Sequence, residues 1–334
     1  MGSTVESPSD KPGSTPGDSP GLIWGFDFVE GERRDVRDCD SPHGGSFRWL
    51  HLNLADHGTR LWIEHTTELP AAVKEVLLSE DSHQQAVVEG EAVACVFHDV
   101  ERGFDVEDTG RIGTLRVALS PSLVVSARVH PIGSADIARR RLVEHEIVDG
   151  PARALDLLVS AILQNVSGVI RRLSVEVQAA EDALIDERQP PSGRQLLDIR
   201  RRLSQFHRLL VDMQSLFRRL EEDEELPVAL LPTVEKLAQR VQGVDGDAST
   251  VLGQLRLLRD EINHQSNQRI NENLYLLSVM TALLLPTTLV TGIFGMNTGG
   301  LPLTGDSGTA FATLLAAGAA LATYLFLRRQ GFFR

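Results

Sequence analysis

The stretch of this chain whose residue types and spacing could do chemistry is Gly292-Ile293-Phe294-Gly295-Met296-Asn297. A neutral asparagine offers a carbonyl oxygen without a charge, so it can hydrogen-bond the water shell of a cation rather than seize the bare ion. That suits a divalent ion, which dehydrates reluctantly, and weak outer-shell binding lets the ion leave again. One chain contributes one asparagine, too little to select anything; a ring of symmetric copies could. Gly295, Gly299 and Gly300 permit close backbone approach and sharp turns. The same residues also make an ordinary turn between two helices, and spacing alone leaves both readings open.

Stepping through the preceding residues as a helix from Asn271 gathers Asn271, Leu274, Ser278, Thr281, Leu285, Thr288 and Gly292 on one face, flanked by Leu277. Polar groups at both ends of an apolar middle are odd on a lipid-facing surface. They suit the wall of a narrow pore, with amides and hydroxyls as way stations and leucines as a constriction that gates by dewetting. The competing account has the hydroxyls bond their own i−4 carbonyls while the face packs on another helix.

The elements that must position this face follow from hydropathy. Residues 273–294 and 309–327 are read as two membrane helices, each about 20 residues long, as a hydrocarbon core of about 30 Å requires. The loop between them, 295–308, has Asp306 as its only charge. Residues 233–272 form a stalk helix continuous with the first span, with Gly243 and Gly246 as weak points; a single helix over 233–293 is on the order of 90 Å long. Residues 151–232 read as a helical hairpin. Its second arm carries the three-and-four seam Leu196, Ile199, Leu203, Phe206, Leu210, Met213, Phe217 and Leu220. Residues 21–150 read as a small α/β domain, with strands expected at 22–28, 47–54 (one face buried), 86–98 and in two pieces either side of Ser120-Pro121-Ser122, and a short helix at 70–78. Residues 1–20 read as a disordered tail without a signal-peptide core, which leaves insertion to the C-terminal spans. Arg256, Arg259 and Arg269 precede the first span, and Arg328, Arg329 and Arg334 follow the second, with no Lys or Arg between. The positive-inside rule then puts both termini in the cytoplasm, 328–334 as a basic tail, and the Gly-Met-Asn loop outside.

Composition narrows the function classes. A net charge of −13 argues against general nucleic-acid binding. Cys39 and Cys95 form no disulfide framework, as in a reducing compartment. There is no phosphate-binding GxxxxGK[ST], nucleophile elbow, paired zincin histidine or dinucleotide fingerprint, so an enzyme is not expected, nor any resident cofactor. The ten histidines include His51 and His57 beside Asp56, and His145 between Glu144 and Glu146, none with ligand spacing on a shared helical face. The acidic run 221–225 and Asp260-Glu261 on the stalk could draw cations or only meet solvent. Arg200, Arg201, Arg202, Arg208, Arg218 and Arg219 lie mostly off their helix's seam.

The run Pro286-Thr287-Thr288-Leu289-Val290-Thr291-Gly292-Ile293-Phe294-Gly295-Met296-Asn297, placed at the end of the first of two C-terminal spans, resembles the CorA-type divalent metal ion transporters. The resemblance implies a funnel-shaped homopentamer with an α/β cytoplasmic domain, a long helical stalk and two transmembrane helices, the first lining a central pore. It implies a selectivity filter of Gly295, Met296 and Asn297, with Asn297 touching the cation through its hydration shell. It implies pore-lining roles for Asn271, Leu274, Leu277, Leu285 and Thr288, to which the stripe adds Ser278 and Thr281. The loop Thr298-Gly299-Gly300-Leu301-Pro302-Leu303 lacks the acidic segment usual in the magnesium branch and looks like the ZntB branch, which is associated with zinc and with proton coupling. Zinc is therefore favoured, with magnesium, cobalt, nickel and cadmium as alternative cargoes, and an inner-membrane location with lipid around the ring. An alternative of another class is a membrane-anchored coiled-coil scaffold or sensor. The hairpin contains no His and no Cys, so tight coordination of dehydrated zinc is not expected there.

Overall fold

Strand 47–53 sits where a sheet needs a side chain on both faces. The computed structural model describes residues 21–29, 32–102, 110–144, 148–186, 192–296 and 308–331. The strands are β1 (Leu22–Val29), β2 (Glu32–Asp35), β3 (Phe47–Asn53), β4 (Gln85–Glu89), β5 (Ala92–Val100), β6 (Ile112–Leu119) and β7 (Leu123–Arg128). The helices are α1 (His57–His65), α2 (Ala71–Leu78), α3 (Gly133–Val143), α4 (Pro151–Ile185), α5 (Gly193–Glu221), α6 (Leu231–Gly295) and α7 (Gly308–Arg329). The chain divides into two compact units, Met1–Leu257 and Leu258–Arg334.

In the first unit the strands make one sheet in the order β2-β1-β3-β7-β6-β5-β4, antiparallel except for the central β3/β7 pair. Leu50 and Leu52 of β3 join Ala94, Val96, Val125, Ile63, Val73 and Leu77 in a core under α1 and α2. The other face carries Phe97 against Phe217 of α5, with ring centroids 6.0 Å apart, and Asp99, which accepts from the Ser134 amide at the start of α3 and from Asn165 of α4. The expectation of one buried face for 47–54 is therefore corrected: helices cover both faces, and the second face of β3 is filled by Phe47, Trp49 and His51. The run read as one strand at 86–98 is a hairpin, turned at Gly90, whose φ of 62° favours glycine. Helix α1 was not expected from the sequence; the Asp56 carboxylate starts it by accepting from the Thr59 amide at 2.8 Å.

The helices of this unit bury the seam read from spacing: Leu203, Phe206, Leu210, Met213, Phe217 and Leu220 of α5 are all inside. Contacts 156 to 236 and 160 to 240 run α6 parallel to α4, and His207 meets Asp245 at 2.6 Å between α5 and α6. Gly243 and Gly246 stay within the continuous α6. Helix α5 starts at a capping box between Ser192 and Gln195.

One buried ion pair locks the edge of the sheet. The Arg48 guanidinium grips both carboxylate oxygens of Asp27 at 2.6 and 2.8 Å and donates to the carbonyls of Ser41 and Pro42. Burial pushes the Asp27 carboxyl up, but the hydrogen bonds and charge of Arg48 outweigh it and hold the group below the usual carboxylate range. A depressed carboxylate contributes stability above its unfolded value near 3.8 and loses it as pH falls through the lower folded value. Arg48→Leu strands Asp27 and should cost about 3–5 kcal/mol, read as earlier thermal loss of circular dichroism at neutral pH. Asp27→Leu combined with Arg48→Leu should recover much of that loss, and a deficit equal to or larger than the single variant's would contradict this account.

Candidate functional site

Among the described residues, three helices are long and apolar enough to cross a membrane, and their surroundings separate them. The apolar window of α4 is 72% buried within the protein, so its side chains already have partners. The windows of α6 and α7 are 6% buried, so nearly all of their apolar surface faces outward from the chain. Within this second unit, Val279 and Ala316 are the buried side chains of the two segments among the described residues, and Phe294 and Phe311 approach with ring centroids at 6.5 Å.

The stripe read from the sequence lies on one exposed face of α6. Asn271, Leu274, Leu277, Ser278, Thr281, Leu285 and Thr288 are all exposed, Leu285 at 64%. The more covered positions, Val279, Ala282, Leu283, Pro286, Thr287 and Val290, fall on the rest of the 3.6-residue turn. Both accounts of the hydroxyls bear on the geometry at once. Ser278 donates to the Leu274 carbonyl at 2.8 Å, Thr281 to Leu277 at 2.8 Å and Thr288 to Leu284 at 2.9 Å. Each proton is spent along the helix, so each oxygen presents its remaining lone pair outward as an acceptor. The side chains stay exposed while doing so.

Gly295 ends α6, and the Met296 amide closes the last turn on the Gly292 carbonyl at 3.1 Å. Helix C-termini carry roughly half a negative charge on their unsatisfied carbonyls. That negative end falls on Gly295-Met296, next to the loop that lacks acidic side chains apart from Asp306, and offers a cation some of the field the loop does not. Asn297 and the remainder of the loop lie outside the described residues, as do His145, Glu146 and Arg334.

The soluble-domain candidates resolve differently. His51 is fully buried, stacked on Trp24 at 4.9 Å, in contact with Ser126 at 2.9 Å, and accepts from Arg128 at 3.3 Å. Burial, with help from the Arg128 charge, lowers its pKa to about 3, so it is a neutral core residue. Asp56 is committed to capping α1. Among the described residues no single chain gathers three His, Cys, Asp or Glu groups that could hold a metal. Sequence reasoning missed Asp156, the lone charge in the apolar run 154–170, a signal that was available. Its carboxylate takes Lys236 at 3.0 Å on both oxygens, Arg153 at 2.9 Å and Arg240 at 3.5 Å, and so ties α4 to α6, the helix that carries the stripe.

Comparison with known proteins agrees over most of the chain. A family model for CorA-like Mg2+ transporter proteins matches residues 44–329. The chain is 26% identical over 261 residues to a zinc transport protein ZntB of Yersinia pseudotuberculosis, covering 76% of this chain and 78% of that one. It is 27% identical over 286 residues to the ZntB of Pectobacterium atrosepticum, covering 84% of each. Among solved structures, full-length CmaX superposes with a TM-score of 0.77 at 22% identity, over 94% of this chain and 99% of that one. The CorA magnesium transporter of Methanocaldococcus jannaschii gives 0.77 at 16% identity, over 93% and 98%. These likenesses extend the shared fold through the long helix and the apolar C-terminal helices.

The tie at Asp156 is open to measurement. Asp156→Ala removes the charge-assisted hydrogen bonds from Lys236 and Arg153 and the ion pair with Arg240, cations whose side chains are 41–54% exposed and can rehydrate. The expected loss is about 1.5–3 kcal/mol, seen as a lower melting temperature of the detergent-solubilised full chain. An unchanged melting temperature would mean that α4 and α6 are held by their apolar seam alone.

Proposed function

The chain belongs to the family of CorA-like Mg2+ transporter proteins, and from that premise we propose that it is a homopentameric conduit of the inner membrane passing hydrated divalent cations, zinc foremost. It is an ion transporter and not an enzyme. In this reading the stripe Asn271, Leu274, Leu277, Ser278, Thr281, Leu285 and Thr288 lines a central pore, and Gly295, Met296 and Asn297 from each copy ring its outer mouth. Both termini are cytoplasmic, and lipid surrounds the assembly.

The observation that carries this reading is the direction of the stripe's hydroxyl protons. Water bound to a cation points its oxygen at the metal and its hydrogens outward, so a hydrated ion needs acceptors around it. Ser278, Thr281 and Thr288 have given their protons to their own helix and keep acceptor lone pairs on the exposed side. Leu274, Leu277 and Leu285 between them supply apolar girdles that close when water leaves. Inward movement needs no nucleotide: one charge across 100 mV is worth about 2.3 kcal/mol, so a divalent ion gains roughly 4.6 kcal/mol.

Two observations support zinc. The relatives at 26–27% identity are zinc transport proteins by name, and residues 298–303 carry no Glu to concentrate magnesium at the mouth. The family model's own description, which names Mg2+, favours magnesium as the second cargo, with cobalt, nickel and cadmium as further candidates. Proton coupling would appear as zinc uptake that depends on an imposed pH gradient.

Flux into proteoliposomes tests the reading. Asn297→Ala should abolish divalent uptake while the oligomer persists. Thr288→Val, which keeps side-chain shape and loses the acceptor oxygen, should lower uptake several-fold with little change in melting temperature. A scaffold would be indifferent to both. Magnesium uptake without zinc uptake would reverse the choice of cargo, and zinc uptake indifferent to the pH gradient would remove proton coupling.

A further inference from the structure

A groove of about 560 Å³ opens in the first unit where α3, α4 and α6 meet. Two guanidiniums line it, Arg141 from the last turn of α3 and Arg240 from α6. A neutral side chain of α4 aims each one: Arg141 Nη2 donates to Gln164 Oε1, and Arg240 Nη1 donates to Ser160 Oγ. A guanidinium has five N–H donors, so most of the Arg141 fork is left unspent. Arg141 is half-buried, and among the described residues it makes no ion pair.

The charge around the groove does not balance. Asp156, just beyond Ser160, already carries Arg153, Lys236 and Arg240 together. Asp247 is the carboxylate of the lining. With Arg141, four cations face two carboxylates, in a chain whose net charge is −13. A phosphate monoester carries about −1.5 to −2 at pH 7, which closes that difference. Arginine at both places suits the tetrahedral phosphate, whose oxygens take paired N–H bonds from a planar fork.

The rest of the lining says what the phosphate is attached to. Leu163 and Val244 give an apolar floor, and nothing lies within 4 Å of where a Gly243 Cβ would stand, so a flat group has room there. The exposed Asp247 carboxylate can only accept, so it takes protons from hydroxyls and opposes a second phosphate. The volume lies within the roughly 300–1,000 Å³ of small-molecule sites. We propose that this groove binds a nucleoside monophosphate, with its phosphate on Arg141 and Arg240, its sugar hydroxyls toward Asp247 and its base over Leu163 and Val244. Such a ligand bridges α3 and α4 to α6 at Gly243, a position that weakens a helix, and so braces the helix that continues into the stripe.

The test is isothermal titration of the detergent-solubilised full-length protein with AMP, GMP, CMP and UMP, in a chelating buffer so that no metal bridges the phosphate. Arg141→Gln should weaken binding about tenfold or more. It should leave the melting temperature in place, because Arg141 does not touch Asp156. Gly243→Leu puts a better helix former into open space, so it should hold or raise the melting temperature while abolishing binding. Arg208→Gln, on α5, should bind as the unaltered protein does. Binding of none of the four, or binding unchanged in both groove variants, overturns the site. Inorganic phosphate bound as tightly as the nucleotides keeps the arginine clamp and overturns the nucleoside; adenosine bound as tightly as AMP overturns the clamp. Neither groove variant touches the stripe, so these outcomes are independent of which ion the protein passes.

Discussion

One helix, Leu231–Gly295, has to satisfy two environments with a single register. In its first half one side carries Val234, Leu237, Val241, Ala248, Val251 and Leu255, all buried. Its second half is apolar around most of its circumference; Asn271, Ser278, Thr281 and Thr288 gather on the stripe, while Thr287 and Thr291 lie off it. Gly243 and Gly246 are the obvious places for a break, and they stay helical. The carboxylate of Asp156 helps there, because Lys236 and Arg240 bind it from the turns just before the glycines.

The second constraint is the cost of polar groups in hydrocarbon. A hydroxyl without a partner in lipid costs several kcal/mol. Ser278, Thr281, Thr287, Thr288 and Thr291 each avoid that cost by donating to a carbonyl within their own helix. The bond needs no second helix, so it forms in any assembly state. It also leaves the oxygens as acceptors, the polarity that suits a hydrated cation and repels none of its waters. The same bond that makes the helix tolerable in the membrane thus sets the sign of the surface it offers.

How much of this was legible in the sequence depended on whether periodicity or tertiary context decided the matter. The α5 seam was legible because its packing is regular; each residue from Leu196 to Leu220 stepping by three and four is inside. The spacing of the stripe from Asn271 to Gly292 was legible in the same way, and its side chains are exposed. The burial of both faces of β3 was not legible. His51 and Arg48 read as polar in sequence, and only the fold supplies Trp24 and Ser126 for one and Asp27 for the other. The start of α1 rested on a single Asp56 cap in a short polar segment, a local signal too small to outweigh composition. The loop that names the family lies outside the described residues, so Asn297 rests on its position in the sequence and on the family.

The exposure of the second unit carries the argument one step further. A lone hairpin with 6% of each apolar window buried is acceptable only if lipid or other protein covers it. Lipid can cover Leu276, Leu284, Leu289, Leu314 and Leu321, which are hydrocarbon. It covers the face of Asn271, Ser278, Thr281 and Thr288 poorly, since the acceptor oxygens there would find no donors in acyl chains. In the proposed reading water lies along that line, and water at membrane depth needs a protein wall around it. One helix is not a wall. The chemistry of a single chain thus argues for several copies facing one another across the line, while the number five comes from the family. In the proposed reading the line and the oligomer stand together, because the outward acceptors of Ser278, Thr281 and Thr288 gain donors only where copies enclose water.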